Sequence, residues 1–276
     1  YACGREYTAP HAITQVPNAA EISGHYIRTS GGKLWKITPG SSVATPVTGF
    51  KDDPSDMGAE EVTLLQIVTG ENHLLARDAN GSVWSIGSNG NGQLGIGTQA
   101  DSDVPRKVMT DVNNQYGTGW DGYLTDVVDI AAGKDTSFAL VRKVVKDESD
   151  PTNVTETVTY AVLGWGLNTV GQLGGNDMGQ VAKQPVVIHE GKEWESIFAG
   201  YEDLFNVEPT GRVWGLGDNS EGQFANGRSD NAANLVLVGD SDLEVFFARG
   251  YRENGTWDPA ADNGAGAWIT DGTADL

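Results

Sequence analysis

The feature that most constrains this chain is an internal repeat, because self-similarity at a fixed period is the sequence signature of repeat folds. Each copy has a glycine, an apolar strand, a polar turn and a second strand that ends in glycine. The copies span residues 70–87, 133–166 and 200–217. In two of them the turn carries Asn80-Gly81 or Thr210-Gly211, which supplies the glycine that a tight hairpin needs. The pattern predicts three β-hairpins.

A second shared block follows each predicted hairpin. It reads Asn89-Gly-Asn-Gly-Gln-Leu-Gly95 in the first copy, and it recurs over 168–174 and, as Asn-Ser-Glu-Gly-Gln-Phe-Ala, over 219–225. One such block would be weak support for a repeat, whereas three in the same place are strong support. We therefore predict a structural role for the residues at the shared positions: Trp84, Gly87, Gln93, Gly95, Gly166, Gln172, Gly174, Trp214, Gly217 and Gln223.

The rest of the chain carries one weaker copy and, at its two ends, what look like the parts of one further copy. Residues 22–37 keep the hairpin pattern and lose the second block. Residues 268–276 resemble a hairpin turn and the start of a strand, and Tyr1 to Gly4 resemble its missing remainder, with Tyr1 in the place of Trp84. This gives five repeat units. Either the two ends share one blade and close a ring, or residues 1–276 are a window of a longer array.

Glycine and proline favour strands and turns over long helices. The chain has 37 glycines and 10 prolines in 276 residues, so it bends often. We predict a single all-β domain over 1–276, a β-propeller built from about five repeat units. Three segments fall outside the repeat and are predicted to be inserted loops, near 111–125, 146–153 and 251–266.

The glycine-led strand, the turn glycine, the aromatic-x-x-Gly strand end and the Asn-x-x-Gly-Gln-Leu-Gly block together resemble the regulator of chromosome condensation repeat. The likeness is most specific over 62–108, 127–188 and 195–238, and weaker over 15–37 and 243–276. The resemblance implies a β-propeller, for which this family usually has seven blades, so five units is a departure. It implies a broad face of loops that grips another macromolecule. We do not carry over the founding member's nucleotide exchange and chromatin docking.

The charge of the chain argues against nucleic acid as a partner. It has 38 acidic and 18 basic residues, a formal net charge of −20. Nucleic-acid binding depends on Lys and Arg that displace condensed counterions. No apolar run is long enough to span a bilayer, so we expect no membrane insertion.

Residues with catalytic or metal-binding potential do not form a recognisable pattern. Cys3 is the only cysteine, and the four histidines lack the spacing of a zinc site. The acidic pairs lie in polar, loop-like contexts, where a solvated surface explains them. Asp240 and Asp242 leave open a calcium-binding turn, although the full loop pattern is missing. We therefore expect no cofactor and no enzymatic activity.

Loop aromatics are the best functional pointers in the sequence. Trp120 and Tyr123 lie in one predicted insertion, and Tyr251 and Trp257 lie in another, among Gly, Asn and Asp. Such aromatics are typical of sugar stacking or protein hot spots, although packing of each loop onto a neighbouring blade explains them equally well.

The favoured hypothesis is a non-catalytic binding or assembly module that contacts a protein or glycan. It would belong to a larger extracellular or virion attachment structure, such as a tail protein, in preference to a cytoplasmic one. Two alternatives remain open. One is a regulator of an intracellular protein, such as a GTPase, and the other is a glycan-acting enzyme with two close carboxylates beneath Trp120 or Trp257.

Overall fold

The computed structural model describes residues 13, 15–38, 43–51, 60–110, 122–147, 155–175 and 178–239. The regular structure in these residues is β-strand. They contain no helix that is long and apolar enough to cross a bilayer. The strands are β1 (Ala19–Ser23), β2 (Tyr26–Thr29), β3 (Leu34–Ile37), β4 (Ala44–Val47), β5 (Leu64–Thr69), β6 (His73–Asp78), β7 (Val83–Gly87), β8 (Ser102–Lys107), β9 (Val127–Ala132), β10 (Thr136–Asp147), β11 (Thr155–Asn168), β12 (Gln180–Glu190), β13 (Ser196–Ala199), β14 (Asp203–Val207), β15 (Val213–Gly217) and β16 (Ala232–Leu237).

The strands form four antiparallel sheets of four strands each, which we number along the chain: β1–β4, β5–β8, β9–β12 and β13–β16. In each sheet, every strand pairs with the next one in sequence. The predicted hairpins are the second and third strands of the sheets, β6–β7, β10–β11 and β14–β15. The weaker copy forms β2–β3. Four-stranded meanders are the blades of a β-propeller, so the predicted all-β propeller class is confirmed.

The hairpin turns are built around the glycines that the sequence singled out. Gly81 has a φ of 78° and donates its N–H to the Asp78 carbonyl. Gly211 has a φ of 85° and donates its N–H to the Glu208 carbonyl in the same way. An L side chain rarely adopts this left-handed conformation, so the turn residue explains where each hairpin reverses.

The fourth strand of a sheet carries a proline in three of the four sheets: Pro46 in β4, Pro105 in β8 and Pro185 in β12. Proline lacks the N–H that a central strand needs for its ladder, and it is tolerated in an edge strand. These strands are the last in the order of their sheets, and each has one strand neighbour within its sheet. The prolines thus mark the outer edges of the blades.

The first strands of consecutive sheets lie side by side: β1 against β5, β5 against β9 and β9 against β13. An apolar core fills each of the three interfaces between neighbouring sheets. Ile67, Ile130 and Ile197 occupy matching places in the first strands and are at most 2% exposed. Burial of an isoleucine side chain contributes about 1.5–3 kcal/mol, so the packing of blade on blade stabilises the array.

Several predicted features lie outside the described residues. These are the shared terminal blade that would join residues 268–276 to Tyr1–Gly4, most of the 111–125 insertion, and the 251–266 insertion. The tip of the extended hairpin, 148–154, also lies outside them. The strands that lead to this tip are long, with β10 and β11 paired from Thr136–Gly166 to Asp147–Thr155.

Candidate functional site

The asparagine that opens the Asn-x-x-Gly-Gln-Leu-Gly block holds the loop that follows the third strand. Asn89 is fully buried, and its Oδ1 accepts a hydrogen bond from the Leu94 N–H (2.9 Å). Its Nδ2 donates to the carbonyls of Thr98 and Ala100 (both 2.9 Å). Asn168 and Asn219 repeat the first of these bonds, to the N–H groups of Leu173 and Phe224. A buried amide that satisfies several backbone groups explains why each complete copy has an asparagine here.

The glutamine of the block caps the same turn. Gln93 Oε1 accepts the N–H of Asn91 (2.9 Å), and the equivalent oxygens of Gln172 and Gln223 accept the N–H groups two residues before them. Gln93 also reaches the third sheet, where its Nε2 donates to Asp135 Oδ1 (3.1 Å). The block therefore stabilises its own loop and, in this copy, links two blades.

Glycines lie at or near the ends of the third strands β7, β11 and β15 because their Cα atoms lie close to the backbone of the second strand. Gly87, Gly166 and Gly217 have φ values of 120°, 106° and 102°. A Cβ at any of them would clash with a backbone carbonyl oxygen just before the second strand of the same sheet. For Gly87 this is the carbonyl oxygen of Asn72. Substitution at these positions is therefore both strained and sterically blocked. At the end of the block, Gly95 and Gly174 have φ values of 65° and 92°.

The two tryptophans at equivalent positions bond to an acidic residue at the start of their hairpin turns. Trp84 Nε1 donates to Asp78 Oδ2 (2.8 Å), and Trp214 Nε1 donates to Glu208 Oε1 (2.6 Å). Lys192 lies 3.8 Å from the centroid of the Trp214 ring and also pairs with Glu208, whose pKa this hydrogen bond lowers. These contacts fix the turns at the outer ends of the hairpins.

Polar side chains of the first strands connect one blade to the next. Glu21 Oε2 accepts the N–H of Ile67 (3.2 Å), and Gln66 Nε2 donates to Asp129 Oδ1 (2.7 Å). Asp129 Oδ2 in turn accepts the N–H of Ile197 (2.9 Å). Consecutive first strands are therefore joined by a side-chain hydrogen bond at each step, beside the apolar cores.

The loops that follow the first strands form a second set of connections, which we call the glycine rim and define as residues 70–72, 133–135 and 200–202. The Glu71 N–H donates to the Lys134 carbonyl (3.1 Å), and the Lys134 N–H donates to the Tyr201 carbonyl (2.7 Å). Each rim loop is thus hydrogen-bonded to the loop of the next blade. The rim is a backbone-linked surface at one end of the first strands.

Two large exposed aromatic side chains lie in or directly after the first strand of the fourth sheet. Phe198, in β13, is 59% exposed, and Tyr201, in the rim, is 61% exposed. The ammonium group of Lys134 lies 5.0 Å from the centroid of the Tyr201 ring, and the Tyr201 hydroxyl raises the pKa of this lysine. Neither aromatic was predicted from the sequence to be a binding residue. The available signal was Tyr201 directly after the repeat glycine, where the other copies have Glu71 and Lys134.

The predicted binding aromatics are only partly described. Tyr123 is half-buried, forms a β-bridge with Met109, and has Lys107 5.6 Å from the centroid of its ring. Trp120, Tyr251 and Trp257 lie outside the described residues, as do Asp240 and Asp242. Within the described ranges, no group of three His, Cys, Asp or Glu residues is arranged to hold a metal ion.

Two histidines lie in the interfaces between blades, where His73 is buried and His189 is half-buried. His73 lies between the second and third sheets, and His189 lies beside Trp194, with 5.1 Å between ring centroids. Burial lowers the pKa of each to about 4. Both are therefore neutral at physiological pH and act as packing and hydrogen-bonding groups.

Known proteins share the repeat. Residues 80–140 match the Regulator of chromosome condensation (RCC1) repeat family, and residues 65–93 match a second description of this repeat. The ultraviolet-B receptor UVR8 of Arabidopsis thaliana is 28% identical over 167 residues, which are 60% of this chain and 32% of the receptor. The probable E3 ubiquitin-protein ligase HERC6 of Homo sapiens is 31% identical over 178 residues, 62% of this chain and 15% of the ligase. The chain therefore spans about a third or less of the length of these relatives.

A solved structure shares the fold. Human WBSCR16 aligns with a TM-score of 0.59 at 17% identity, over 83% of this chain and 55% of that one. RCC1-like repeats suggest a protein-binding or regulatory function. Four antiparallel blades, the shared loop block and these matches lead to one conclusion: the chain carries RCC1-like repeats and has a β-propeller fold.

Proposed function

We propose that this chain is a non-catalytic protein-binding module that contacts its partner through the glycine rim and the adjoining end of β13. The observation that carries the proposal is the exposure of Phe198 and Tyr201, at 59% and 61%. Large exposed aromatics are costly to leave in water and are enriched among the residues that dominate binding energy.

The rim is suited to binding because its backbone is already fixed. The hydrogen bonds from Glu71 to Lys134 and from Lys134 to Tyr201 tie three blades together at this surface. A partner that docks here has little loop entropy to remove, which favours affinity. Lys134 adds a positive charge beside the aromatic ring in a chain of net charge −20.

The likeness of this chain to RCC1 repeats supports a protein partner over glycan binding or virion attachment. The prediction of glycan binding depended on loop aromatics, three of which lie outside the described residues. For the fourth, Tyr123, the described contacts are with Lys107 and the Met109 backbone. The exposed aromatics Phe198 and Tyr201 are therefore the better-founded contact residues.

The test is a comparison of three single variants as baits. Phe198→Ser and Tyr201→Ser remove the two aromatics, and Val186→Ser alters an apolar side chain of comparable exposure (42%) on the outer strand β12. Each purified protein is used to capture partners from an extract of the source organism, which are identified by quantitative mass spectrometry. Binding of the purified partner is then measured directly.

We expect to identify a partner that wild type and Val186→Ser bind and that Phe198→Ser and Tyr201→Ser do not. Loss of affinity of about tenfold or more per aromatic is the size expected for a hot spot. Equal binding of all four proteins would contradict the proposal. Loss in Val186→Ser alone would move the interface to the outer strand. Thermal unfolding of each variant separates loss of contact from loss of fold.

A further inference from the structure

Asparagine is followed by glycine at four places in the described residues, which are Asn80, Asn89, Asn91 and Asn226. Such a pair can react with itself, because the backbone nitrogen of the glycine can attack the side-chain amide carbon of the asparagine. Glycine has no Cβ to block this approach. The reaction needs a glycine N–H that can lose its proton and an amide group that can turn toward it. The four pairs differ in both respects.

Hydrogen bonds protect three of the four pairs. The N–H of Gly81 donates to the Asp78 carbonyl (3.1 Å), so this nitrogen is held in its turn. The N–H of Gly92 is held in the same way by the Asn89 carbonyl (2.9 Å). Asn89 is itself fully buried, and its Nδ2, which would have to leave, donates to two backbone carbonyls. Reaction at any of these pairs therefore requires local unfolding.

The fourth pair, Asn226 and Gly227, meets both requirements. Gly227 is exposed, and its N–H has no hydrogen-bond acceptor among the described residues. Asn226 Oδ1 accepts the N–H of Arg228, two residues later, at 3.1 Å. In this Asx turn the asparagine side chain folds back over the peptide that contains the Gly227 nitrogen. The amide carbon is therefore held on the side from which that nitrogen attacks.

A second donor is directed at the same oxygen. Asn219, the buried first residue of the repeat block in the fourth sheet, reaches Asn226 Oδ1 with its Nδ2 at 3.4 Å. Negative charge develops on this oxygen when the nitrogen attacks, and two N–H donors stabilise that charge as an oxyanion hole does. In the other three pairs, the described contacts place one donor on Asn89 Oδ1 and none on the side-chain oxygens of Asn80 and Asn91.

We propose that Asn226 is a site of spontaneous deamidation and that the fold selects it over the other described Asn-Gly pairs. The Gly227 nitrogen loses its proton to solvent and forms a bond to Cγ of Asn226, while the Cγ–Nδ2 bond breaks and Nδ2 takes up a proton and leaves as ammonia. Water then opens the cyclic imide at either carbonyl, which gives aspartate or isoaspartate. Both products add a negative charge. Isoaspartate also inserts a methylene into the backbone of the loop that Asn219 holds through the carbonyls of Arg228 and Asp230.

The experiment follows each Asn-Gly pair by peptide mapping and mass spectrometry while the purified chain is held at mildly alkaline pH. Conversion adds about one dalton to a peptide, and enzymatic methylation identifies isoaspartate. The same measurement in concentrated urea gives the rate of each pair without the fold. Asn254 and Asn263 also precede glycine, but they lie outside the described residues and do not enter the comparison.

Two substitutions of one residue test the backbone donor. Arg228→Pro removes the N–H that donates to Asn226, and Arg228→Ala is the matched control because it keeps this N–H. Asn226→Gln identifies the peptide by removing the site, and thermal unfolding verifies the fold of each variant.

We expect Asn226 to convert in the folded chain about tenfold or more faster than the other three described pairs, and at least as fast as it does in urea. Its rate should be unchanged in Arg228→Ala and lower in Arg228→Pro. Faster conversion of another described pair in the folded chain would overturn the proposal, as would slower conversion of Asn226 in the folded chain than in urea. Equal rates in the two Arg228 variants would also overturn it, because the donor would then have no effect.

Discussion

His73 Nε2 lies 2.9 Å from Ser137 Oγ across the interface between the second and third sheets. Ser137 Oγ donates its own proton to the Gln93 carbonyl (2.7 Å), so the serine oxygen accepts from the imidazole. The proton of the neutral ring is therefore on Nε2. Nδ1 is buried and has no hydrogen-bond partner among the described residues, so a second proton on this ring would be an unpaired buried charge.

We predict that acid destabilises the fold between pH 7 and pH 5 through its buried histidines. Burial lowers the pKa of His73 from 6.5 to about 4, so in this range the unfolded chain binds the proton and the folded chain does not. The contribution of neutral His73 to the free energy of unfolding is therefore fully present above pH 6.5 and is lost as the pH falls toward 4. The loss at pH 5 is about 2 kcal/mol per histidine. Urea unfolding at several pH values measures it.

A substituted chain isolates the contribution of His73. His73→Gln should reduce the loss between pH 7 and pH 5, whereas His25→Gln, at an exposed position, should leave it unchanged. Asp203 acts in the opposite sense, because burial raises its pKa and the folded form then takes up its proton first. An equal loss between pH 7 and pH 5 in wild type and in His73→Gln would show that the imidazole is not held neutral.

Removal of the buried asparagine of the repeat block should be costly. We predict that Asn89→Ala lowers the free energy of unfolding by about 2–4 kcal/mol, because the Leu94 N–H and two carbonyls lose their partner in a buried place. Asn91→Ala, two residues away and half-buried, should cost less than about 1 kcal/mol. Chemical unfolding measures both. Similar losses in the two variants would mean that the Asn89 amide does not hold the loop.

Ala225 occupies a backbone position that two other copies give to glycine. Its φ is 49°, where the equivalent Gly95 and Gly174 have 65° and 92°. We predict that Ala225→Gly stabilises the protein by about 0.5–1 kcal/mol, because the Cβ strain exceeds the extra entropy of an unfolded glycine. Differential scanning calorimetry would report a higher Tm.

The reverse change is the matched control for this prediction. A Cβ at Gly174 would meet no atom within 4 Å, so Gly174→Ala tests the backbone conformation without a steric clash. It should destabilise the chain by about 1 kcal/mol. A neutral result at both positions would show that this turn relaxes to accept either residue.

The hairpins could be predicted from the sequence because their determinants are local. Gly81 requires a positive φ, and Asn89 bonds to Leu94 five residues later, so each leaves a short-range pattern. The edge strands were harder, since Pro105 in β8 resembles a loop residue until a sheet edge explains it. The exposure of Phe198 could not be predicted, because it depends on what packs against β13.

Contacts between residues distant in sequence show the same limit. Lys51 and Lys107 are far apart in sequence and come together only when the second sheet has formed. Tyr123 was predicted as a binding residue from the composition of its loop. The structure gives it a place beside Lys107 that loop composition could not indicate, because the pairing of Met109 with Tyr123 brings the ring there.

The last prediction concerns the side chain that joins three blades. Asp129 accepts from Gln66 Nε2 in the second sheet and from the Ile197 N–H in the fourth. Asp129→Ala should therefore destabilise the protein by about 2–3 kcal/mol, since it leaves the Gln66 amide and the N–H groups of Ile130 and Ile197 without their acceptor. Gln66→Ala removes only one of these bonds and should cost less.

The double variant decides whether the two residues act together. A direct bond predicts a coupling energy of about 0.5–1.5 kcal/mol between Gln66→Ala and Asp129→Ala, measured by urea unfolding of the four proteins in a cycle. Ser102→Ala with Asp129→Ala is the control cycle, because Ser102 lies on the edge strand β8 and bonds to the Val104 carbonyl instead. Additive losses in the first cycle would rule out the Gln66–Asp129 bond as a link between the second and third sheets, which the apolar core and the bond from Glu71 to Lys134 would then hold together.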